Sequence, residues 1–319
     1  MRLGAACGRR ARVLTTSEVR VLTWNLFHGR DGAPEVGPTR RSILCREPVV
    51  AGRRVHLNRK LIDLMGRLVA RMEPDLCALQ EVPPLAVPEL ARATRMSAVW
   101  ALTGPRVGPV GLRGRLGRAN PDLWRSHEGN ANVLLVGRRL RVVPSSARSA
   151  RHVDRAAMLG AARATGMAPG DLLRWAAEPR RLVLARIRTP DDVEIVAACV
   201  HATNARDPRV VGLELRRAAG VAVGAAGDDP LVMAGDLNVD GRTGPAELAA
   251  LAALGLEGAE PDRPLGLDRI LYRGLEAVSP PRRLPTPERE VGVRWSGGSG
   301  VLRLSDHDPV VAVLRAPAG

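Results

Sequence analysis

Short apolar runs typical of β-strands, some alternating and some continuous, recur along the whole chain, and helical stretches separate them at irregular intervals. Many neighbouring runs are joined by short turns rather than by a helix, whereas a regular βαβ series needs a helix between every two strands. We therefore expect mixed or antiparallel sheets with helices on the outside. The predicted strands are VRVLTWN, DLCALQEV, SAVWALTG, NVLLVG, LRVVP, RLVLARI, VEIVAACVH, PLVMAGDL, LDRILYRG and DPVVAVL.

Several local connections are predicted as well. Residues 57–72 carry apolar residues at helical spacing and predict an amphipathic helix that Pro74 ends. RLVLARI and VEIVAACVH resemble a hairpin, and Asp207 followed by Pro208 is typical of a helix start. NVLLVG and LRVVP are expected to pair around a tight turn. Residues 105–130, rich in Gly, Pro and Arg, are interpreted as a long surface excursion.

The formal net charge is +15, and Lys60 is the only lysine in the sequence. A charge of this sign favours polyanions such as nucleic acid, phosphoinositides or an anionic membrane. The alternative is that an arginine-rich composition charges every surface without a specific partner, because the arginines are dispersed and form no long block. Arg180 and Arg181 could reach a phosphate, but solvated arginines are the favoured interpretation in such a chain.

The cysteines form no CxxC pair, which argues against a zinc site. Cys77 and Cys199 lie in strand-like runs and resemble small buried hydrophobic residues. The first residues lack an apolar stretch long enough for a signal peptide, and no span approaches transmembrane length. The expectation is a reduced, cytoplasmic compartment.

Polar residues stand at the ends of several predicted strands. A single Asn or Asp at such a place is more often a turn former, but packed sheets bring strand ends to a common rim, and loops at a rim carry function. Carboxylates suit magnesium and histidines suit proton transfer or phosphate contact, whereas the set holds no nucleophilic Ser or Cys. The residues are Asn25, Glu81, His201 with Asn204, Asp236 with Asn238, Asp268, and Asp306 with His307.

The motifs TWNLFHG, LQEV, HATN, GDLNV, LDRIL and SDHDPV follow one another in this order. In them the sequence strongly resembles the endonuclease/exonuclease/phosphatase superfamily, which includes deoxyribonucleases, AP endonucleases and neutral sphingomyelinases. The resemblance implies an α+β fold: a four-layer sandwich of two mixed, mostly antiparallel sheets packed face to face, with helices on the outside. Residues 18–316 would form one catalytic domain after a flexible basic N-terminus at 1–17, with 105–178 as a divergent surface region.

The resemblance also implies a metal site and two substrate contacts. Asn25, Glu81 and Asp306 correspond to metal-site residues, with Mg²⁺ (or Mn²⁺) as the cofactor. Asn130 and Asn204 are candidates for contact with the substrate phosphate, although a turn role suits Asn204 equally well. An acidic cluster would repel a phosphate unless a metal neutralises it, so the set predicts metal dependence.

Five further residues have catalytic roles by the same resemblance. Asp236 resembles the carboxylate that positions or deprotonates the attacking water, and Asn238 resembles its partner in holding the phosphate. His307 resembles the histidine that contacts the scissile phosphate or acts as acid/base, and Asp268 would fix its tautomer. His201 resembles a second catalytic histidine. The histidines without such context, interpreted as surface or core residues, are His28, His56, His127 and His152.

Three functions remain possible at this point. The leading hypothesis is a metal-dependent hydrolase that cleaves phosphodiester bonds in nucleic acid, as an endo- or exonuclease, and acts as a monomer. The first alternative takes a phospholipid or a small-molecule phosphoester, because fold and motif do not choose the substrate. The second is an inactive binding protein on the same fold. Neither Tyr272 nor Phe27, the only Tyr and Phe, lies where the AP endonuclease branch has its tyrosine, which argues against close identity with that branch.

Overall fold

The computed structural model describes residues 18–104, 110–152, 156, 160, 164, 180–205 and 207–316, so the predicted flexible N-terminus at 1–17 lies outside the described residues. The helices are α1 (Arg40–Cys45), α2 (Ile62–Met72), α3 (Val87–Thr94), α4 (Val110–Ala119), α5 (Pro121–Trp124), α6 (Pro208–Ala226) and α7 (Pro245–Ala252). The strands are β1 (Glu18–Asn25), β2 (Val49–Ala51), β3 (Arg54–His56), β4 (Leu76–Val82), β5 (Ser97–Leu102), β6 (Ala131–Val136), β7 (Arg141–Val142), β8 (Arg148–Arg151), β9 (Arg181–Arg188), β10 (Glu194–His201), β11 (Leu231–Asp236), β12 (Asp268–Arg273), β13 (Glu276–Arg283), β14 (Glu290–Trp295), β15 (Gly298–Arg303) and β16 (Val310–Arg315).

Two six-stranded sheets form the centre of the molecule. The first has the order β13-β16-β1-β4-β6-β5, and the second has the order β12-β11-β10-β9-β7 with β8 also paired to β9. Strand β1 is parallel to β4 and β10 is parallel to β11, while the other pairs in these sheets are antiparallel. The predicted pair of mixed, mostly antiparallel sheets is confirmed.

Alternation along the strands explains why these sheets stack. In β1, Val19 and Val21 belong to the apolar core between the two sheets, whereas Leu22 and Trp24 belong to the core on the other face. Helices α2 and α3 close that outer core, and α6 and α7 close a third core on the outside of the second sheet. Each buried Leu or Val contributes roughly 1.5–3 kcal/mol. The result is the predicted four-layer sandwich.

A third, four-stranded sheet has the order β14-β15-β3-β2 and was not predicted. Val291, Val293 and Leu302 from this sheet join the outer core beside α2. Strands β2 and β3 span only three residues each and β15 begins GSG, so these three strands carry little pattern; β14 does alternate, but it is a single short run.

The local predictions have mixed outcomes. The β9–β10 hairpin is confirmed, and the Asp207 side chain caps α6 by accepting from the N–H of Arg209. The predicted pairing of NVLLVG with LRVVP was wrong, because β6 has β4 on one side and β5 on the other, and β7 pairs with β9 in the second sheet. The predicted surface excursion does not hold for Asp122 and Glu128, which are buried.

Within the described ranges, no helix is both long and apolar enough to cross a membrane. Cys77 and Cys199 are buried free thiols, as expected, and Cys45 is exposed. A single catalytic domain, a monomeric state and a cytoplasmic location stay predictions of the sequence.

Gly235 lies where β10 and β11 approach each other closely. A Cβ atom at this position would lie 1.8 Å from the carbonyl oxygen of Val200 in the neighbouring strand. A residue without a side chain therefore lets the two strands pair up to their last residues, where His201 and Asp236 are register partners.

Gly235→Ala should lower the free energy of unfolding by about 2–3 kcal/mol, because the added methyl group forces the two strands apart. Urea unfolding followed by circular dichroism measures this change. The matched control is Gly220→Ala in α6, where a Cβ atom meets nothing within 4 Å. That substitution should stabilise the protein by about 0.5–1 kcal/mol. Equal stability of G235A and the wild type would contradict the close approach.

Candidate active site

The predicted residues converge because strand ends of both sheets meet at one rim. Asn25 ends β1 beside Gln80 of the parallel strand β4, and His201 ends β10 beside Asp236 of the parallel strand β11. Asp268 begins the antiparallel strand β12 directly opposite Asp236. These registers place carboxylates, a carboxamide and an imidazole in neighbouring positions, as the sequence indicates.

Asp236 lies at the centre of this group and is buried. Its Oδ2 accepts a hydrogen bond from Asn25 Nδ2 at 2.9 Å, and its Oδ1 accepts one from the backbone N–H of Asn238 at 2.9 Å. Burial raises the pKa of Asp236 to about 7, and the nearby charge of Asp268 adds to this effect. The carboxylate is therefore held in a fixed orientation and is able to bind a proton near neutral pH.

His307 pairs with Asp268, as the sequence predicts. Its Nδ1 lies 2.6 Å from Asp268 Oδ2, and its Nε2 lies 3.9 Å from Asp236 Oδ2 and 4.0 Å from Asp306 Oδ1. Burial acts to lower the pKa of His307, but the three carboxylates, Asp268 foremost, raise it to about 10. His307 is consequently a cation at neutral pH.

His201 has the opposite protonation state. Its Nε2 lies 3.6 Å from Asp236 Oδ2 and 3.8 Å from Glu81 Oε1. Burial, reinforced by the charge of Arg180, lowers the pKa of His201 to about 3. Arg180 is only 9% exposed and its Nη1 donates to the carbonyl of Ala202 at 3.3 Å, so the prediction of a solvated arginine was wrong at this position.

Glu81 lies in an irregular part of β4. The register between β4 and β6 shifts between Leu79 and Val82, and such a bulge re-aims the side chain it contains. Glu81 Oε2 lies 2.9 Å from His28 Nε2. Although burial acts to raise it, the contacts with His28 hold the pKa of Glu81 well below its usual range. Glu81 is therefore ionised.

His28 was not predicted to belong to this group, because its only signal in the sequence is its place in TWNLFHG shortly after Asn25. It is also one of several non-glycine residues at this rim with a left-handed backbone. Such conformations cost about 1–3 kcal/mol each and gather at functional sites. The residues and their φ angles are Phe27 (46°), His28 (56°), Glu81 (51°), Asn238 (51°) and Ser305 (61°).

The corner before β16 is tied to the end of β1. Ser305 Oγ donates to the carbonyl of Asn25 at 2.6 Å and accepts from the N–H of His307 at 3.1 Å. Trp24 Nε1 donates to the carbonyl of His307 at 2.9 Å. Because these bonds join distant parts of the chain, the position of His307 is set by β1 as well as by Asp268.

A buried ionic cluster supports the same corner from behind. His56 Nδ1 lies 2.9 Å from Asp31 Oδ2, and His56 Nε2 lies 2.8 Å from Asp122 Oδ2. Arg30 donates to Asp122 Oδ1 at 2.7 Å, and its carbonyl accepts from the N–H of Ser305 at 3.0 Å. Burial acts to lower the pKa of His56, but the bonds to Asp122 and Asp31 raise it to about 9. From the sequence, His56 is interpreted as a surface or core residue; it is buried, and its place in an ionic cluster was not predicted.

Asn130 and Asn204 are less directly connected to the group. Asn130 precedes Ala131, the register partner of Val82, and its Oδ1 is buried without a hydrogen-bond partner among the described residues. Asn204 is exposed and lies two residues after Ala202, whose carbonyl accepts from Asn238 Nδ2 at 2.8 Å. Both therefore border the rim, and their contact with a substrate stays a prediction.

Two sets of side chains are suited to a metal ion. The Asp306 side chain is 43% exposed, but its partial burial still raises its pKa and the charge of Glu81 adds to this effect, so the two carboxylates repel each other and a cation would relieve the repulsion. The second set is Asp236, Asp268 and His307, whose potential ligand atoms all lie within 4.8 Å of one another. An acidic and histidine-containing cluster is thus present at the rim.

Asp268→Asn should lower the pKa of His307 from about 10, because the substitution removes the largest of the charges that oppose burial, although Asp236 and Asp306 remain. Nuclear magnetic resonance titration of the imidazole nitrogens measures this pKa. Asp262→Asn, an exposed change in the preceding loop, is the control and should leave the titration in place. An unchanged His307 pKa in D268N would refute the assignment of Asp268 as its partner.

Stability should fall at alkaline pH because of His56. Its folded-state pKa of about 9 lies above the unfolded value of 6.5, so its contribution is complete below pH 6.5 and is lost as pH rises through 9. The loss amounts to roughly 3 kcal/mol. Urea unfolding of the wild type and of His56→Gln between pH 6 and pH 10 tests this, since their difference in stability should shrink over that range. A constant difference would contradict a buried imidazolium.

Comparison with known proteins agrees with this geometry. The protein-family model described as Endonuclease/Exonuclease/phosphatase family matches residues 22–307. An endonuclease/exonuclease/phosphatase from Beutenbergia cavernae has 17% identity and a TM-score of 0.56, over 95% of this chain and 72% of that chain. A mannosyl-6-phosphatase from Bacteroides thetaiotaomicron has 12% identity and a TM-score of 0.54, over 93% and 99%. The human nocturnin catalytic domain with bound sulfate has 15% identity and a TM-score of 0.52, over 94% and 94%. A search of curated proteins finds no match.

At these identities the solved structures support only the fold. The assignment of the chain to a family rests on the family model. It spans most of the chain, from β1 to His307, and includes every strand end at which the polar residues meet. The family consists of phosphodiesterases and phosphatases, and its members generally use a divalent metal. The chain therefore belongs to the endonuclease/exonuclease/phosphatase family.

Proposed function

We propose that this protein is a metal-dependent hydrolase that cleaves phosphodiester bonds, with nucleic acid as the preferred substrate. One observation supports the reaction above all: Asp236 is flanked by a protonated His307 at 3.9 Å and a neutral His201 at 3.6 Å, with the ionised Glu81 close by. A hydrolase needs a water-activating base and positive charge for the phosphoryl oxygens, and this group offers both.

The metal would be held by Asn25, Glu81 and Asp306, with Mg²⁺, or Mn²⁺, as the ion. Oxygen ligands of this kind suit either cation. The set with His307 is less suitable, because its Nδ1 already bonds Asp268 and a protonated imidazole has no lone pair to give. When bound, the ion supplies Lewis-acid stabilisation of the charge on the phosphoryl oxygens.

Asp236 acts on the attacking water in this proposal. The bonds from Asn25 and Asn238 hold its carboxylate, so that a water is positioned opposite the leaving group. A pKa of about 7 suits a general base at neutral pH. His307, kept cationic by Asp268, offsets the negative charge on the phosphoryl group, and the neutral imidazole of His201 is able to donate a hydrogen bond to it.

The choice of nucleic acid rests on charge. A net charge of +15 attracts a polyanion along the whole length of the polyanion. A small substrate gains little from charge that lies outside the site. A second candidate is a small phosphoester or a phospholipid, and the structural similarity to a mannosyl-6-phosphatase supports keeping it. Salt dependence separates the two classes, because polyanion binding weakens steeply with ionic strength.

Purified protein should cleave plasmid, single-stranded DNA or RNA with Mg²⁺, and EDTA should abolish the cleavage. A parallel panel contains bis(p-nitrophenyl) phosphate, sugar phosphates and phospholipid vesicles. Asp236→Ala and His307→Ala should each lower kcat/KM by about 10²- to 10⁴-fold, because they remove the base and the charge that stabilises the transition state. Asp262→Asn serves as the control and should keep wild-type activity.

The possible outcomes separate the hypotheses. Metal-dependent cleavage of a small phosphoester without cleavage of nucleic acid would move the assignment to the second candidate. Binding without turnover of any phosphoester, unchanged in D236A and H307A, would favour an inactive binding protein on this fold.

A further inference from the structure

We propose that His28 is a positioning residue that orients the Glu81 carboxylate for cation binding, and that Lys60 and Glu128 hold His28 in place. This inference deepens the proposed function, since it rests on a cation at Glu81. It assigns a function to the only lysine in a chain whose other basic side chains are arginines.

The two oxygens of the Glu81 carboxylate have different neighbours. Oε2 lies 2.9 Å from His28 Nε2, whereas Oε1 points towards His201, 3.8 Å away. His28 Nδ1 is buried and has no partner among the described residues. The hydrogen is therefore best placed on Nε2, where it is donated to Glu81, because a buried N–H at Nδ1 would have no acceptor. One oxygen is fixed, and the other stays available to a cation.

The backbone of His28 needs support to make this contact. Phe27 and His28 both have positive φ angles, of 46° and 56°, which are unfavourable for residues with a side chain. Lys60 Nζ donates to the carbonyl of His28 at 2.6 Å and also to Glu128 Oε1. The side chain of Lys60 is 10% exposed and that of Glu128 is 1% exposed. A buried ion pair thus secures the strained turn.

The surroundings favour a lysine over an arginine here. A Cβ atom on Gly117 would lie 2.4 Å from Glu128 Oε2, and Glu128 is therefore packed tightly against α4. The ammonium group is a compact donor that reaches the His28 carbonyl and Glu128 together, whereas a guanidinium is planar and larger. Lys60 and Glu128 line a cavity of about 240 Å³, and Arg118 lines it as well. Arg118 pairs with Glu89 at 2.9 Å and forms no hydrogen bond with His28 or Glu81.

A direct metal–His28 bond is the competing arrangement. Neighbouring ligands of one cation with bonds of about 2.1 Å lie roughly 3 Å apart, and the separation of His28 Nε2 from Glu81 Oε2 meets this condition. A ligating histidine, however, almost always donates its other N–H to an acceptor. His28 Nδ1 has none in the part of the chain described, so the geometry points to the positioning role.

The experiment measures Mn²⁺ affinity of the full-length protein by electron paramagnetic resonance of the free ion. His28→Ala should weaken binding by about 10- to 100-fold, the usual effect of losing a partner that orients a metal ligand. His28→Gln, which keeps an N–H donor, should recover most of the affinity. Lys60→Met and Lys60→Arg should both weaken binding, by about 10-fold or less. Arg118→Met is the matched control from the same cavity and should bind as the wild type does.

The outcomes distinguish this inference from the proposed function. Absence of Mn²⁺ binding by the wild type would overturn the metal-dependent function itself. Wild-type binding that is equal in H28A, K60M and K60R would overturn the inference alone. Nitrogen hyperfine coupling to Mn²⁺ that disappears in H28Q would overturn positioning in favour of direct ligation. Thermal unfolding of every variant checks that it is folded. If H28A does not fold, the Mn²⁺ affinity of K60R still tests the inference.

Discussion

Negative charge concentrated at one buried edge of the sandwich is the constraint on which the rest of the site depends. Asp236 and Asp268 are register partners on neighbouring strands and are almost fully buried, and Asp306 and Glu81 lie nearby. Removing such ions from water costs several kcal/mol each unless opposite charge compensates. His307 supplies one positive charge in this space. A cation at Glu81 and Asp306 would supply the rest, so the same interaction that stabilises the folded edge also prepares it for an anionic substrate.

His307 and His201 have opposite protonation states because their surroundings differ. His307 lies among carboxylates, with Asp268 at 2.6 Å, and stays protonated. His201 is more deeply buried and has Arg180 beside it, so it stays neutral although it too is near Asp236. Environments that push the protonation states of paired groups apart are the usual sign of divided catalytic roles.

The strand-end residues could be predicted from the sequence because each follows or precedes a short apolar run that is local and visible. Asn25, His201 and Asp236 are of this kind, and registers between strands bring them together. His28 and His56 could not be predicted, because their partners depend on contacts between segments far apart in the chain. Three strands of the third sheet escaped prediction because β2 and β3 are short and β15 is rich in glycine; β14 alternates but was overlooked, and packing beside α2 holds the sheet in place.

The segment from α4 to Glu128 contacts residues that support both Asp306 and Glu81. The sequence suggested a surface excursion, yet two of its acids, Asp122 and Glu128, are buried and bond residues that support the site. Asp122 bonds His56 and Arg30, whose carbonyl holds Ser305 beside Asp306. Glu128 pairs with Lys60, which holds the backbone of His28 and through it Glu81. Both proposed carboxylate ligands are thus supported from one segment of the chain. Removing either buried acid would therefore withdraw a partner that supports Asp306 or Glu81 without touching the ligand itself.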